Sequence, residues 1–227
     1  MINLNAYKQG DSKWSQTVMK PGTLNLGQAG CLVTSCAMAL SNFAITVTPG
    51  ELCEKLSAIS GFDQYSNLIL NKPAQLWSSV SFIDRFRTSL WPMSQDAKIE
   101  ITEAIRRITR LIQIGIPVAL NVDSTPKDKV RDPNHWVIAF DAQLNDFTII
   151  DPIDGKTLQL SSRYDYADKA IYGYTAWMGA PISFPNADKG GEPQDGIAAW
   201  KLSQAMKGIA KDMYIREAFE SLINNPN

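Results

Sequence analysis

The chain has 227 residues, 44% of them hydrophobic and 20% charged, enough for one full domain with additions or two small ones. Lysine and arginine total 22 against 23 acidic residues, so there is no global cation excess to suit a nucleic-acid or anionic-membrane surface. Three unevenly spaced cysteines (Cys31, Cys36, Cys53) and one histidine fit neither a disulfide framework nor a paired zinc site, and no metal or cofactor is expected.

The opening MINLNAYKQGDSKW is polar and lacks the apolar core of a secretion signal. The longest apolar run, around Cys31 to Leu40, is too short to span a bilayer. A soluble protein made in the cytoplasm is expected, its final destination open.

Residues 1–30 read as loop, punctuated by Gly10, Pro21, Gly22, Gly27 and Gly30. From Cys31 to Phe43, CLVTSCAMALSNF is apolar on nearly every side and predicts a buried central helix. TVTPGELCEKLSAI predicts a second helix, with Thr48 as N-cap, Pro49 at the first helical position and Glu51 completing a capping box. Residues 58–98 are mixed and Trp-containing and yield no assigned element.

Residues 99–113 predict an amphipathic helix, with Ile101, Ile105, Ile108 and Ile112 at helical spacing and Gly115 as its stop. Branched and aromatic residues then predict strands at 117–122, 135–140, 147–151 and 170–178. Helices thus precede a strand-rich half, which is an α+β order: a central N-terminal helix on an antiparallel sheet. The expected organisation is a domain over 1–183, a Pro/Gly-rich linker over 184–196 and an amphipathic helix within 197–227. Leu202, Met206, Ile209 and Met213 form a stripe on that helix, which either docks on the domain itself or binds a partner.

Three residues at element ends attract chemical interest. Cys31 opens the first strong helix, where unpaired N–H groups and the helix dipole favour a thiolate. Cys36 and Cys53 lie inside helices. His135, the sole candidate for a proton acceptor, opens a strand, and Asp151 ends the next one. A short turn between neighbouring antiparallel strands would set imidazole and carboxylate side by side, as a nucleophile–base–orienter set requires. Each also has a plain structural reading: a small core thiol, a hydrogen-bonded core histidine, a strand-terminating Asp-Pro.

The segments KQGDSKW (8–14), GCLVTSCAMAL (30–40), TPGEL (48–52), GIPVAL (115–120), NHWVIAF (134–140) and IIDPIDGK (149–156) occur in an order that resembles the peptidase C39-like family, over roughly residues 5–180. The resemblance implies a papain-like cysteine peptidase fold. It also implies a nucleophile at Cys31, a general base and acid at His135 and an orienting carboxylate at Asp151. The family's oxyanion glutamine matches Gln9, with Gln28 as a rival closer to the cysteine. Trp14, Trp77 and Trp136 are candidate cleft walls, or core tryptophans. Leu32 departs from the pattern, since many relatives carry glycine there. The C-terminal helix has no assigned counterpart. No ATP-binding or membrane region accompanies the motifs, so leader processing during export is not implied. The expected reaction is cleavage of a peptide or isopeptide bond in a peptide, protein or peptidoglycan-peptide substrate. Acyl transfer by the same triad, or a non-catalytic binding module on the same fold, are the alternatives.

Overall fold

A computed structural model of the chain describes residues 2–92, 98–125 and 132–179. The predicted linker and C-terminal helix lie outside the described residues. In chain order the elements are α1 (Leu26–Ala29), α2 (Cys31–Ser41), α3 (Pro49–Ala58), α4 (Pro73–Leu76), β1 (Val80–Thr88), β2 (Lys98–Ile99), α5 (Ile101–Gln113), β3 (Val118–Val122), β4 (His135–Gln143), β5 (Asp146–Asp151), β6 (Lys156–Gln159), α6 (Leu160–Arg163), α7 (Ala167–Ala170) and β7 (Gly173–Gly179).

The strands form one sheet in the order β2-β1-β7-β3-β4-β5-β6. Neighbours run antiparallel except β1 and β2. Helices cover both faces. On one, α2 and α3 pack Leu40, Met38, Leu52 and Leu56 against Ala119, Ile138, Ile150 and Trp177. On the other, α5 packs Ala104, Ile108, Leu111 and Ile112 against Val118, Leu120, Val137, Ala139 and Ile149, with residues of α6 and α7 completing the layer. The result is a mixed α/β architecture with a large central sheet. β3 and β7 are buried along their whole length because they are central and covered on both sides.

This layering explains the residue choice in α2. Enclosed between sheet and α3, the helix has no polar face, and its buried residues include Val33, Cys36, Ala37, Met38, Ala39 and Leu40. Each large side chain so buried contributes roughly 1.5–3 kcal/mol. In α3 the predicted capping box is present: the Thr48 N–H donates to Glu51 Oε2 at 2.8 Å and the Glu51 N–H to Thr48 Oγ1 at 3.3 Å. α5 begins two residues later than the sequence pattern predicts, because Lys98 and Ile99 pair with β1. Gly115, at φ +89°, stops it in a conformation that side chains other than glycine's resist.

The sequence order of helices before strands needs one correction. β1 precedes α5 and pairs with β7, the last strand, so the sheet is built from both halves of the chain. Its register shifts between Ile83 and Phe86. That bulge breaks the alternation by which a strand is read, and Arg85 and Arg87 dilute its apolar character.

Candidate active site

α2 opens on Cys31, and its N-cap, Gly30, has no capping side chain, so the first backbone N–H groups of the helix are left without a side-chain partner. Glycine is required there by space. A Cβ on Gly30 would lie 2.5 Å from the Leu26 carbonyl oxygen and 2.7 Å from Leu26 Cα, because α1 turns directly into α2. One turn further on, Ser35 Oγ donates to the Trp136 carbonyl at 3.5 Å, which sets this face of α2 against the start of β4.

His135 opens β4, opposite Val122 of β3. The β4–β5 register pairs Ile138 with Ile150, so Asp151 falls diagonally across from His135 on the same face of the sheet. His135 Nε2 lies 2.9 Å from Asp151 Oδ1. The carboxylate is wholly buried and His135 is 5% exposed. Cys31, at the start of α2, is near enough to the imidazole to favour its protonated form. Burial opposes the charge on His135. The hydrogen bond to Asp151 and the neighbouring thiol outweigh it, pushing the imidazole up to about 9. Burial also opposes the charge on Asp151, but donation from His135 and Tyr164 and the imidazolium charge hold its carboxyl well below the usual range. The other two cysteines are wholly enclosed: burial raises the Cys36 thiol well above its ordinary value and the Cys53 thiol to about 11.

The model of the peptidase C39-like family matches residues 2–178, which takes in α1 through nearly all of β7 and every residue just described. The chain belongs to the peptidase C39-like family. Membership points to a peptidase and to a peptide or protein substrate. No curated protein matches the chain. Among solved structures, a candidate C39-like peptidase from Bacillus anthracis is similar at 17% identity, with 65% of this chain and 88% of that one covered and a TM-score of 0.40.

Within this C39-like chain, Gln9 bridges the two segments that carry Cys31 and Asp151. Its backbone N–H donates to the Pro152 carbonyl at 2.8 Å, and its Nε2 to the Gly27 carbonyl at 3.3 Å. Gln28 is held locally through its oxygen: with Asn25 it forms the capping box of α1, its Oε1 accepting from the Asn25 N–H at 3.0 Å. Trp136 follows His135 and has the Arg85 guanidinium 5.8 Å over its ring. Trp14 donates through Nε1 to the Lys8 carbonyl at 2.9 Å and meets Tyr7 edge to face. A Cβ on Gly50 of α3 would lie 2.8 Å from its own Cβ, so Trp14 fastens the 7–14 turn to α3. Trp77 is not brought to Cys31. It lines a cavity of about 430 Å³ with Ala44–Val47, Glu51 and Lys55, beyond the C-terminal end of α2. The 11 residues of that helix separate its ends by about 15 Å.

Two further residues, Arg163 and Tyr164, complete the surroundings of this candidate site. Arg163 Nη1 donates to Asp151 Oδ2 at 2.6 Å and Tyr164 Oη to the same oxygen at 2.5 Å. The Ile153 N–H donates to Oδ1 at 3.0 Å, an Asx-turn that explains the DPxxG motif together with Gly155, which sits at φ +72° and donates to the Asp151 carbonyl at 2.7 Å. No periodicity or spacing marks Arg163 and Tyr164. The one signal available in principle is that a buried carboxylate demands donors.

Among the described residues, no helix is long and apolar enough to cross a membrane.

Proposed function

We propose that this protein is a papain-like cysteine peptidase or amidase that cleaves a peptide or isopeptide bond through Cys31, His135 and Asp151. The observation that supports this most directly is the imidazole of His135, bonded to a buried carboxylate and neighboured by the cysteine at the start of a helix. Nε2 is engaged by Asp151, which leaves Nδ1 to exchange a proton with the Cys31 sulfur. The thiolate attacks the carbonyl carbon and forms a tetrahedral oxyanion, which the Cys31 N–H and the Gln9 amide stabilise at about 3 kcal/mol per donor, as in comparable acyl transfers. The C–N bond then breaks as imidazolium passes its proton to the departing amine. Water, deprotonated by His135, attacks the thioester, releases the acid and restores the thiol. Asp151 stays ionised and orients the ring throughout.

Thiol labelling tests the nucleophile. Iodoacetamide near neutral pH, followed by peptide mass spectrometry of the folded chain, is expected to modify Cys31 rapidly and Cys36 and Cys53 slowly, because the last two are buried with raised pKa values. Faster labelling of either buried cysteine than of Cys31 sinks the proposal.

The pH profile follows from His135. Its folded value, about 9, lies above the ordinary 6.5. Protonated imidazole is therefore fully present below about pH 6.5, and both its contribution to stability and its capacity to protonate a leaving amine are lost as pH rises through about 9. kcat/KM is expected to fall on the alkaline side with an apparent pKa near 9. An alkaline limb centred near 6.5 would show that the pairing with Asp151 and Cys31 does not operate in solution.

A further inference from the structure

The carboxylate of Asp151 divides its two oxygens between different tasks. Oδ1 faces His135 Nε2 and the Ile153 N–H. Oδ2 takes Arg163 Nη1 and the Tyr164 hydroxyl. Arg163 also reaches Asp154, with Nη2 2.7 Å from Oδ2 and Nη1 3.2 Å from Oδ1, so one guanidinium clamps the end of β5 to the turn that follows. Asp154 is itself tied to that turn by the Lys156 N–H at 3.1 Å. The Tyr164 ring lies 6.1 Å from the imidazole, centroid to centroid.

Without Arg163 and Tyr164, Asp151 would keep His135 and the Ile153 N–H on Oδ1, and Oδ2 would have no anchor against rotation about χ2. The two donors on Oδ2 supply that anchor. We propose that Arg163 and Tyr164 are positioning residues for the Cys31–His135–Asp151 set: by holding Asp151 Oδ2 they leave Oδ1 to His135, fix the plane of the imidazole and restrain its proton affinity. This rests on the peptidase reading for its catalytic consequence, and on the contacts alone for its effect on His135.

The groups that face His135 are Cys31 from α2, Asp151 from the end of β5 and Tyr164 just past α6, with Arg163 and Asp154 acting through the shared carboxylate. Arg163 draws on the negative charge that would otherwise stabilise imidazolium. Neutralising it should raise the proton affinity of His135. Tyr164 competes for the same charge as a neutral donor, so its removal acts in the same direction and more weakly.

His135 is the sole histidine of the chain, so its ring can be titrated by NMR without assignment. The full-length chain and its Arg163→Met, Arg163→Lys and Tyr164→Phe variants are to be titrated, with thermal melts as a check on folding. The His135 pKa is expected to rise by about one unit in Arg163→Met, to rise by less in Tyr164→Phe and to stay near the parent value in Arg163→Lys. With internally quenched peptides, kcat is expected to fall about tenfold in Tyr164→Phe with KM little changed, as positioning without substrate contact requires. An unmoved His135 titration in folded Tyr164→Phe and Arg163→Met overturns the proposal. If Arg163→Met does not fold, Tyr164→Phe, which removes a single oxygen atom, decides alone. A Cys31→Ala variant that retains full turnover would instead remove the peptidase reading while the titration still decides the positioning.

Discussion

Replacement of Cys31 by alanine is expected to abolish turnover while the chain stays folded. Removing the nucleophile of a covalent mechanism costs on the order of 10⁴- to 10⁶-fold in kcat, because the oxyanion donors and the base have nothing left to assist. The structural cost is small. Cys31 is 8% exposed, lies at the first position of α2 and leaves behind only the volume of one sulfur atom. A destabilisation within about 1 kcal/mol is expected. The pairing of outcomes is diagnostic: turnover of internally quenched peptides lost, urea midpoint nearly retained. Alanine also removes the thiol that helps hold a proton on His135, so the alkaline titration of the imidazole should move down from about 9. Full activity in Cys31→Ala would end the peptidase reading.

Replacement of Asp151 by alanine is expected to have the largest effect on stability. The carboxylate is wholly buried and receives donors from His135, Ile153, Arg163 and Tyr164. Deleting it strands a phenol and an imidazole around an empty acceptor site and leaves the Arg163 guanidinium with Asp154 alone. Breaking a buried ion pair from one side costs about 3–5 kcal/mol, most of it from the groups left behind. The pH dependence has a definite sign. The folded carboxyl is held below its ordinary value of 3.8, so its contribution is present above that pH and is lost as pH falls through the lower folded value. Urea denaturation should therefore show a constant gap between parent and Asp151→Ala at neutral pH, narrowing below about pH 4. A gap under about 1 kcal/mol at pH 7 would mean that the network carries little of the stability assigned to it. Turnover should fall as well, since an imidazole without Asp151 loses both its orientation and its raised proton affinity.

These two residues illustrate different kinds of legibility. The position of Cys31 was readable from its neighbours: Gly30 before it, an apolar run after it, and hence the first turn of a buried helix. The pairing of His135 with Asp151 was readable from strand ends and a short turn, because antiparallel register follows from local geometry once two adjacent strands are recognised. The preference for Gln9 over Gln28 rested on the motif resemblance and on sequence distance. The Gln28 oxygen belongs to the α1 capping box, an S/T/D/N-x-x-Q pattern present in NLGQ, so residues 1–30 are not all loop. β1 escaped because a bulge broke its period.

Helix and strand periods, caps, stops and the ordered motifs were thus set by the sequence alone, since each depends on residues within a few positions of one another. The placement of β1 beside the last strand, the distance of Trp77 from Cys31 and the clamp of Arg163 and Tyr164 on Asp151 were decided only by the tertiary structure. A buried carboxylate takes its donors from whichever segments the packing brings within about 3 Å, and that proximity has no period along the chain.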